Sequence, residues 1–377
     1  MNIWADWAGD ELAKVRAAGR WREMRPLDAR GPGAVLDGSA LVSFASNDYL
    51  GLTTHSAVIA AGHAALDRWG SGAGSARLIV GSRPVHHELE AALADWRQCD
   101  RALLFPTGYA ANLGVLSTFG GPDVTVVSDE LNHASIIDGC RLSRSRIVVY
   151  PHNDLEACAA ALAGSEGRCI VVTDSVFSMD GDIAHVDELA GLCVRHDALL
   201  MVDEAHAVLG PELPVTLDGL SLLRVGTLSK TLGSLGGFVA GTTDLIDLIV
   251  NRSRPFIFTT APTPADTAAA LAALAICRSE EGDALRSRLR RHIARVRNGH
   301  PSPIVPVVLG DESSALVASS SLLDQGLFVP AIRPPTVPAG TCRLRVALSA
   351  AHTDAMVDRL VSVLASIDNS GFAVPNS

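Results

Sequence analysis

Short apolar segments alternate with segments of helical apolar spacing from about residue 71 to residue 241, and this alternation constrains the fold more than any other feature of the chain. Strands that are apolar on both faces need helices on both sides of their sheet. The pattern therefore predicts an α/β fold with a parallel or mixed sheet, and the ligands of such sheets bind beyond the carboxyl ends of the strands. The predicted strands are 101–105, 124–128, 146–150, 169–174, 199–203 and 223–228, and the predicted helices are 87–97, 110–119, 155–162 and 186–196.

The segment that begins near residue 278 lacks this regular alternation. Its predicted elements are helix 278–297, strand 304–309, helix 313–325, strands 328–332 and 342–348, and helix 353–367. This order predicts a smaller α+β unit, joined in space by an N-terminal helix near residues 10–24. The predicted division is an N-terminal helix and segment that packs with the small domain (1–45), a large α/β domain (46–275), a small α+β domain (276–368) and a disordered tail (369–377).

The composition argues against several classes of function. The 377 residues are 48% apolar and carry a formal charge of −10, which provides a sizeable core and argues against a nucleic-acid surface. No apolar run approaches the roughly eighteen residues of a spanning helix, and the N-terminus lacks the features of an export signal. The seven cysteines are scattered, which is typical of buried thiols in a reducing compartment. We expect a cytoplasmic protein without a metal site.

Lysine occurs at only two positions, Lys14 and Lys230, although lysine and arginine together number 31. A lysine that persists in an arginine-rich chain is a candidate for chemistry, because an amine can form an imine with an aldehyde and a guanidinium cannot. Lys14 lies in a charged N-terminal segment and is expected to be solvated. Lys230 follows a predicted strand, among hydroxyls and glycines, and is the best candidate for a catalytic amine.

Further strand ends carry polar groups that, together with Lys230, suit pyridoxal phosphate. This cofactor needs a lysine amine, a carboxylate opposite its pyridine nitrogen and a phosphate cradle. Asp203 is predicted to supply the carboxylate, and the amides of Gly108 and Tyr109, at a helix start, are predicted to hold the phosphate. Three more side chains complete the predicted site: His133 against the ring, His206 at the phenolic oxygen and Thr227 at the phosphate.

Each of these signals has another interpretation when it is taken alone. An Asp-x-x-His pair such as Asp203 and His206 is more often structural or metal-binding than part of a cofactor site. The glycine-rich segment 70–75 does not follow a strand as a dinucleotide fingerprint does. Residues 203–206 spell a helicase-type box, but no phosphate-binding Gly-Lys-Ser/Thr loop precedes them. The common position of the signals at strand ends favours pyridoxal phosphate.

Several segments resemble the α-oxoamine synthases, a branch of the fold-type-I pyridoxal-phosphate enzymes. The resemblance extends from about residue 43 to residue 353, and it implies a transferase with a large mixed-sheet α/β domain and a smaller α+β terminal domain. The motifs that carry it are 47–52 (NDYLGL), 72–77 (GAGSAR), 128–135 (SDELNHAS), 176–182 (VFSMDGD), 203–206 (DEAH) and 227–230 (TLSK). The segment 207–214 departs from the family pattern, since it is shorter and lacks a glycine next to His206.

The resemblance implies an acyltransferase reaction in which an amino acid loses CO2 while it is joined to an acyl thioester. The segment 331–341 is most similar to the biotin-pathway branch of the family, which implies L-alanine and a pimeloyl thioester, of coenzyme A or of acyl-carrier protein, as substrates. It also implies a homodimer with active sites at the subunit interface. Two alternatives stay open here: another branch, such as glycine C-acetyltransferase, and a non-catalytic pyridoxal-phosphate-binding protein.

The resemblance also implies roles for individual residues. The implied catalytic residues are Lys230, Asp203, His133 and His206, with a neutral Lys230 amine as general base. Ser178 is implied as a cofactor contact, and Thr259 or Thr260 as a contact to the partner subunit's phosphate. The implied substrate contacts are Asn47, Ser75, His133, Arg333, Thr336 and one of the two arginines, Arg20 and Arg22, that flank Trp21.

Overall fold

The computed structural model describes residues 2–211, 213 and 217–368. Its helices are α1 (Ile3–Ala17), α2 (Ser56–Trp69), α3 (Pro84–Arg97), α4 (Gly108–Phe119), α5 (Ala134–Ser143), α6 (Leu155–Ala163), α7 (Val186–Arg195), α8 (Thr243–Arg252), α9 (Arg254–Ile257), α10 (Pro264–Cys277), α11 (Glu280–Val296), α12 (Glu312–Asp324) and α13 (Asp354–Asp368), with a 3-10 helix at Leu52–Thr54 and a π-helix at Arg77–Gly81. Its strands are β1 (Asp28–Arg30), β2 (Gly33–Leu36), β3 (Ser39–Ser43), β4 (Arg101–Phe105), β5 (Val124–Asp129), β6 (Arg146–Tyr150), β7 (Arg168–Asp174), β8 (Leu199–Asp203), β9 (Ser221–Thr227), β10 (Gly237–Gly241), β11 (Ile304–Gly310), β12 (Leu327–Phe328), β13 (Ala331–Ile332) and β14 (Cys342–Ala347).

The largest sheet has seven strands in the order β4-β10-β9-β8-β7-β5-β6. Strands β5 to β9 are mutually parallel, and β10 lies antiparallel between β4 and β9. The predicted mixed α/β sheet is therefore confirmed, and the six strands predicted for it are present. Strand β10 has no predicted counterpart, because its five residues are bounded by glycines, which are typical of loops.

Side chains on both faces of this sheet are buried, as the apolar strands require. Successive residues of a strand point to opposite faces, so Val126 and Met201 face a core shared with α4 and α5. The adjacent residues Val127 and Leu200 face the opposite core, which is shared with α6 and α7. The two layers of helices hold the sheet rigid and leave the ends of its strands free for ligand contacts.

Two smaller sheets lie in the rest of the chain. One has the order β1-β2-β3-β12, and the other has the order β11-β14-β13. The prediction of a single strand at 328–332 was wrong. Within these residues the chain leaves the first of these sheets, at β12, and enters the second, at β13. Pro330 lies at the crossing, where its carbonyl accepts from Arg345 N at 3.0 Å. Proline has no N–H to donate to a ladder, which favours a break in the strand.

The N-terminal helix also differs from its prediction. Helix α1 ends at Ala17 rather than near residue 24, and Gly19 follows it with a φ of 64°, a left-handed conformation that helix ends favour. It begins after Asn2, whose side chain accepts from Ala5 N at 3.3 Å. No residue of α1 is buried.

The predicted domain division stays a prediction, and its boundary after residue 275 falls in the last turn of α10. The predicted disordered tail, 369–377, lies outside the described residues. Within the described ranges, no helix has the length and apolar character needed to cross a bilayer.

Candidate active site

The carboxyl ends of β4, β5, β7, β8 and β9 lie at one edge of the main sheet, because these strands run in one direction. The segments that carry Gly108, His133, Ser178, Asp203 and Lys230 leave the sheet at this edge. Asp174 and Asp203 end neighbouring strands and are register partners. The topology thus brings together segments that are far apart in the sequence.

Asp203 is buried and held by two donors. Its exposed fraction is 5%. One carboxylate oxygen accepts from Asn112 Nδ2 at 2.7 Å, and the other accepts from Ala205 N at 2.9 Å. Two donors to one carboxylate fix its orientation as well as its position. Asn112, on α4, was not predicted as a site residue, although a lone amide in an apolar helix signals a buried polar contact.

Lys230 follows β9 and is half-buried. Burial lowers the pKa of its amine, and Arg345 lowers it further, whereas Asp203 and Asp174 act in the opposite direction. The net shift is downward from the ordinary value of 10.5. A lowered pKa increases the share of neutral amine, which is the form that can act as nucleophile or base.

His133 links β5 to the first turn of α5. Its backbone N–H donates to Asp174 Oδ2 at 2.7 Å, and its Nδ1 lies 2.7 Å from Ser135 Oγ. Burial lowers the pKa of the imidazole, Asp203 acts to raise it, and Lys230 lowers it further. The ring lies edge-on to Tyr109, with centroids 6.5 Å apart.

His206 and Asn47 meet through Tyr49, which was not predicted as a site residue. Tyr49 Oη lies 2.6 Å from His206 Nδ1 and 3.1 Å from Asn47 Oδ1. Burial lowers the pKa of His206 well below its ordinary range, and Lys230 and Arg345 act in the same direction. Burial also raises the pKa of Tyr49 to about 12, so its hydroxyl keeps its proton.

Arg345, on β14, is the buried cation of the site and was also missed by the sequence analysis. Its Nη2 donates to Asn47 Oδ1 at 3.2 Å, and its Nε donates to the carbonyl of Ser178 at 2.6 Å. Its charge also acts on the pKa of Lys230. The two arginines of this otherwise apolar strand, Arg343 and Arg345, were the available signal, since burying a charge is costly without partners.

The start of α4 has the free backbone donors that an anion cradle needs. Thr107 caps the helix, and its side chain accepts from Ala110 N at 3.0 Å, which leaves the amides of Gly108 and Tyr109 as the first donors of the helix. A Cβ atom on Gly237 would lie 2.5 Å from Gly108 N, so glycine permits this close approach. Thr227 also lies close to Gly108, because a Cβ atom placed on Gly108 would be 3.4 Å from Thr227 Cβ. An amine, a buried carboxylate and a helix start with hydroxyls fit the needs of pyridoxal phosphate.

A cleft of about 930 Å³ opens between this sheet edge and the segment 334–341. Its walls are mainly apolar and include Ile137, Phe177, Met179 and Val337. Thr336, a predicted substrate contact, lies in its lining, and Ser178 stands between the two lining residues Phe177 and Met179.

Other predicted substrate residues lie around Glu312. Arg20 Nη2 donates to Glu312 Oε1 at 2.8 Å, and Arg333 Nη1 lies 3.6 Å from Glu312 Oε2. Arg333 Nη1 also donates to the carbonyl of Gly19 at 3.1 Å. Arg22 is exposed, and its assignment, like those of Arg20 and Arg333, stays a prediction.

Thr259 and Thr260 belong to a segment that pairs with the chain beside Ser75. Thr260 forms a bridge with Ala76, and Ala261 N donates to the carbonyl of Ser75 at 3.0 Å. Their predicted role requires a second subunit, so it stays a prediction. The predicted departure at 207–214 lies partly outside the described residues.

Comparison with known proteins identifies the family. A model of the aminotransferase class I and II family matches residues 39–364. The chain is 49% identical to the 8-amino-7-oxononanoate synthase of Anaeromyxobacter dehalogenans, over 96% of this chain and 95% of that protein. The chain belongs to the 8-amino-7-oxononanoate synthase family. The predicted resemblance to α-oxoamine synthases, and to this branch of them, is confirmed.

Two solved structures place this 8-amino-7-oxononanoate synthase family member within the wider fold. Serine palmitoyltransferase from S. paucimobilis, with bound PLP, aligns with a TM-score of 0.90 at 31% identity, over 98% of this chain and 99% of that chain. The 8-amino-7-oxononanoate synthase of Francisella tularensis aligns with a TM-score of 0.73 at 25% identity, over 88% of this chain and 98% of that chain. This chain therefore shares its fold both with a serine palmitoyltransferase and with an 8-amino-7-oxononanoate synthase.

Proposed function

We propose that this chain condenses L-alanine with a pimeloyl thioester to form 8-amino-7-oxononanoate, CO2 and the free thiol carrier, using pyridoxal 5'-phosphate. The observation that carries the proposal is the near-full-length match to curated 8-amino-7-oxononanoate synthases. The site supports it, since Lys230, Asp203, His133 and His206 converge at one sheet edge.

Pyridoxal phosphate, when bound, supplies an aldehyde for the amino group and a ring that absorbs an electron pair. Asp203 would face the pyridine nitrogen as a negative charge, held by Asn112 and the amide of Ala205. The amides of Gly108 and Tyr109, with Thr227, would hold the phosphate. Ser178 would contact the cofactor from the loop that Arg345 holds.

Lys230 is proposed as the base that takes the proton from Cα of alanine at its Nζ atom. Its lowered pKa supports this role, because a base must be neutral before it accepts a proton. The neighbouring histidines have lowered pKa values as well, so they add little positive charge beside the amine.

The chain offers two arginines for the alanine carboxylate. Arg333 is proposed from the family resemblance, whereas Arg345 with Asn47 is supported by contact with the site. A guanidinium can bind a carboxylate with two parallel hydrogen bonds, which a lysine cannot reproduce. Measuring the KM for alanine in Arg333→Lys and Arg345→Lys separates the two.

The apolar cleft beside Thr336 is proposed for the pimeloyl chain. Phe177, Met179 and Val337 offer apolar contacts along it, which suits the methylene groups between the two carbonyl ends of a pimeloyl unit.

A homodimer is proposed because the surface beside Ser75 is strongly apolar. Leu78, Ile79 and Val80 in the π-helix are 50%, 74% and 67% exposed, and Phe258 nearby is 70% exposed. Contiguous exposed apolar side chains of this kind mark interaction surfaces. The same segments carry Thr259 and Thr260, which are proposed to reach the partner's phosphate.

Product identification tests the proposed function. Alanine, glycine and serine are each offered with pimeloyl, acetyl and palmitoyl thioesters, on coenzyme A and on acyl-carrier protein, and products are identified by mass spectrometry. A kcat/KM that is highest for alanine with pimeloyl thioester is expected. The structural likeness to serine palmitoyltransferase makes serine with palmitoyl thioester the second candidate, and a preference for that pair would overturn the proposal.

A further inference from the structure

A continuous set of hydrogen bonds connects Asp203 to His133 through two side chains. Asn112 Nδ2 donates both to Asp203 Oδ2 at 2.7 Å and to Ser135 Oγ at 2.8 Å. Ser135 Oγ in turn lies 2.7 Å from His133 Nδ1. Ser135 is fully buried, and Asn112 is 1% exposed, so water does not compete for these contacts.

The donors in this set determine which ring nitrogen of His133 carries the proton. The Ser135 oxygen accepts from Asn112, so its own hydrogen is available for His133 Nδ1. The backbone N–H of Ser135 also points at His133 Nδ1, at 3.2 Å, and an amide N–H can only donate. The amide N–H therefore requires a lone pair on Nδ1, to which the Ser135 hydroxyl can also donate.

We propose that Asn112 and Ser135 are positioning residues that hold His133 as the neutral tautomer with its proton on Nε2. Nδ1 faces the first turn of α5, so Nε2 is the ring nitrogen on the opposite side, where it can donate to a carboxylate or thioester oxygen of the substrate. This use of the N–H rests on the proposed function, whereas the tautomer itself does not.

The same arrangement opposes a second proton on the ring. Protonation of Nδ1 would place it against the backbone N–H of Ser135 as a donor–donor contact, and it would force the Ser135 hydroxyl to rotate from donating to accepting. Other charged or titratable groups act on the ring from their own elements: Asp174 through the backbone of His133, Asp203 and Lys230 through their charges, His206 through mutual repulsion, and Tyr109 edge-on. Burial favours the neutral ring and Asp203 favours the charged one, so the two contacts with Ser135 act in the same direction as burial.

Selective 15N labelling of histidine tests the assignment directly. Long-range 1H–15N correlation reads the protonation of both ring nitrogens, and His133→Gln identifies the signal of His133 among the 12 histidines. In the wild-type protein at pH 7, with and without pyridoxal phosphate, Nε2 should be protonated and Nδ1 unprotonated. A proton on Nδ1 would overturn the proposal without any variant being needed.

Ser135→Ala and Ser143→Ala form a matched pair. Both serines are buried on α5, but Ser143 Oγ donates to the carbonyl of Cys140 at 2.6 Å and serves as the control. Loss of one neutral hydrogen bond in Ser135→Ala should raise the ratio of charged to neutral His133 at fixed pH about fivefold. Ser143→Ala should leave that ratio unchanged, and equal ratios in both variants would contradict the role of Ser135. If the tautomer is as expected but the condensation assay gives no product, the proposed function is rejected and the assignment of the tautomer stands.

Discussion

Replacement of Asp203 by asparagine tests how the site holds negative charge. The substitution keeps the shape of the side chain but leaves it one acceptor oxygen for two donors, Asn112 Nδ2 and Ala205 N. One of these donors will face the new amide NH2 group instead of an oxygen. The variant therefore loses both the charge proposed to face the pyridine nitrogen and one buried hydrogen bond.

The two losses have different magnitudes and different readouts. A buried donor left without its acceptor costs about 1–3 kcal/mol in the free energy of unfolding. Removal of a preorganised charge that stabilises a transition state typically costs about 3 kcal/mol. At about 1.36 kcal/mol per tenfold change in rate, this corresponds to a decrease in kcat of roughly 150-fold.

The assay compares Asp203→Asn with Asp174→Asn, the same substitution at its register partner. Burial and then Asp203 raise the pKa of Asp174 well above its ordinary range, so the amide removes less negative charge there. Steady-state kcat should fall about 150-fold in Asp203→Asn and less than about tenfold in Asp174→Asn, with urea unfolding used to separate stability from turnover. Normal turnover in Asp203→Asn, or equal losses in both variants, would refute the assigned role of Asp203.

The other predictions concern the amine, the substrate carboxylate and a buried ion pair. Borohydride reduction should fix the cofactor to the peptide that contains Lys230, and Lys230→Ala should lose turnover; label on Lys14 would reject the assignment. Arg333→Lys should raise the KM for alanine without a change in cofactor absorbance, whereas an unchanged KM, together with an increase in Arg345→Lys, would transfer that role to Arg345. Glu204→Gln should cost about 3–5 kcal/mol in the free energy of unfolding at pH 7, because it removes the buried carboxylate that pairs with Arg224 and Arg97. Burial opposes ionisation of this carboxyl, but the arginines outweigh burial and lower its pKa below the ordinary 4.5. The stabilisation from the ion pair is therefore present above pH 4.5, and it is lost as the pH falls through the lower folded-state pKa. A deficit that persists at lower pH in urea titrations would contradict this reasoning.

Local patterns in the sequence were sufficient for the elements that carry the site. Strands β5, β7 and β8 are apolar on both faces because they are covered on both sides, and that requirement is visible in the residues themselves. Lys230 and Asp203 could be singled out because an amine or carboxylate at the end of such a strand lies at the edge of the sheet where ligands bind. The cofactor was predicted from these residue types and their order, and the family from the resemblance of several motifs, among them 203–206 and 227–230.

The tertiary structure decided which side chains meet across that edge. Strand β10 enters the sheet between β4 and β9 because distant segments pair with it, and its own glycine-bounded sequence does not indicate this. Asn112 and Arg345 join the site through partners at positions 203 and 47, far from each of them in the chain. The sequence by itself thus determined the sheet type and six of the seven strands of the main sheet, because these depend on local periodicity. Strand order, the orientation of Asp203 and the contacts of His133 depend on long-range packing and hydrogen bonding, and only the folded chain determines them.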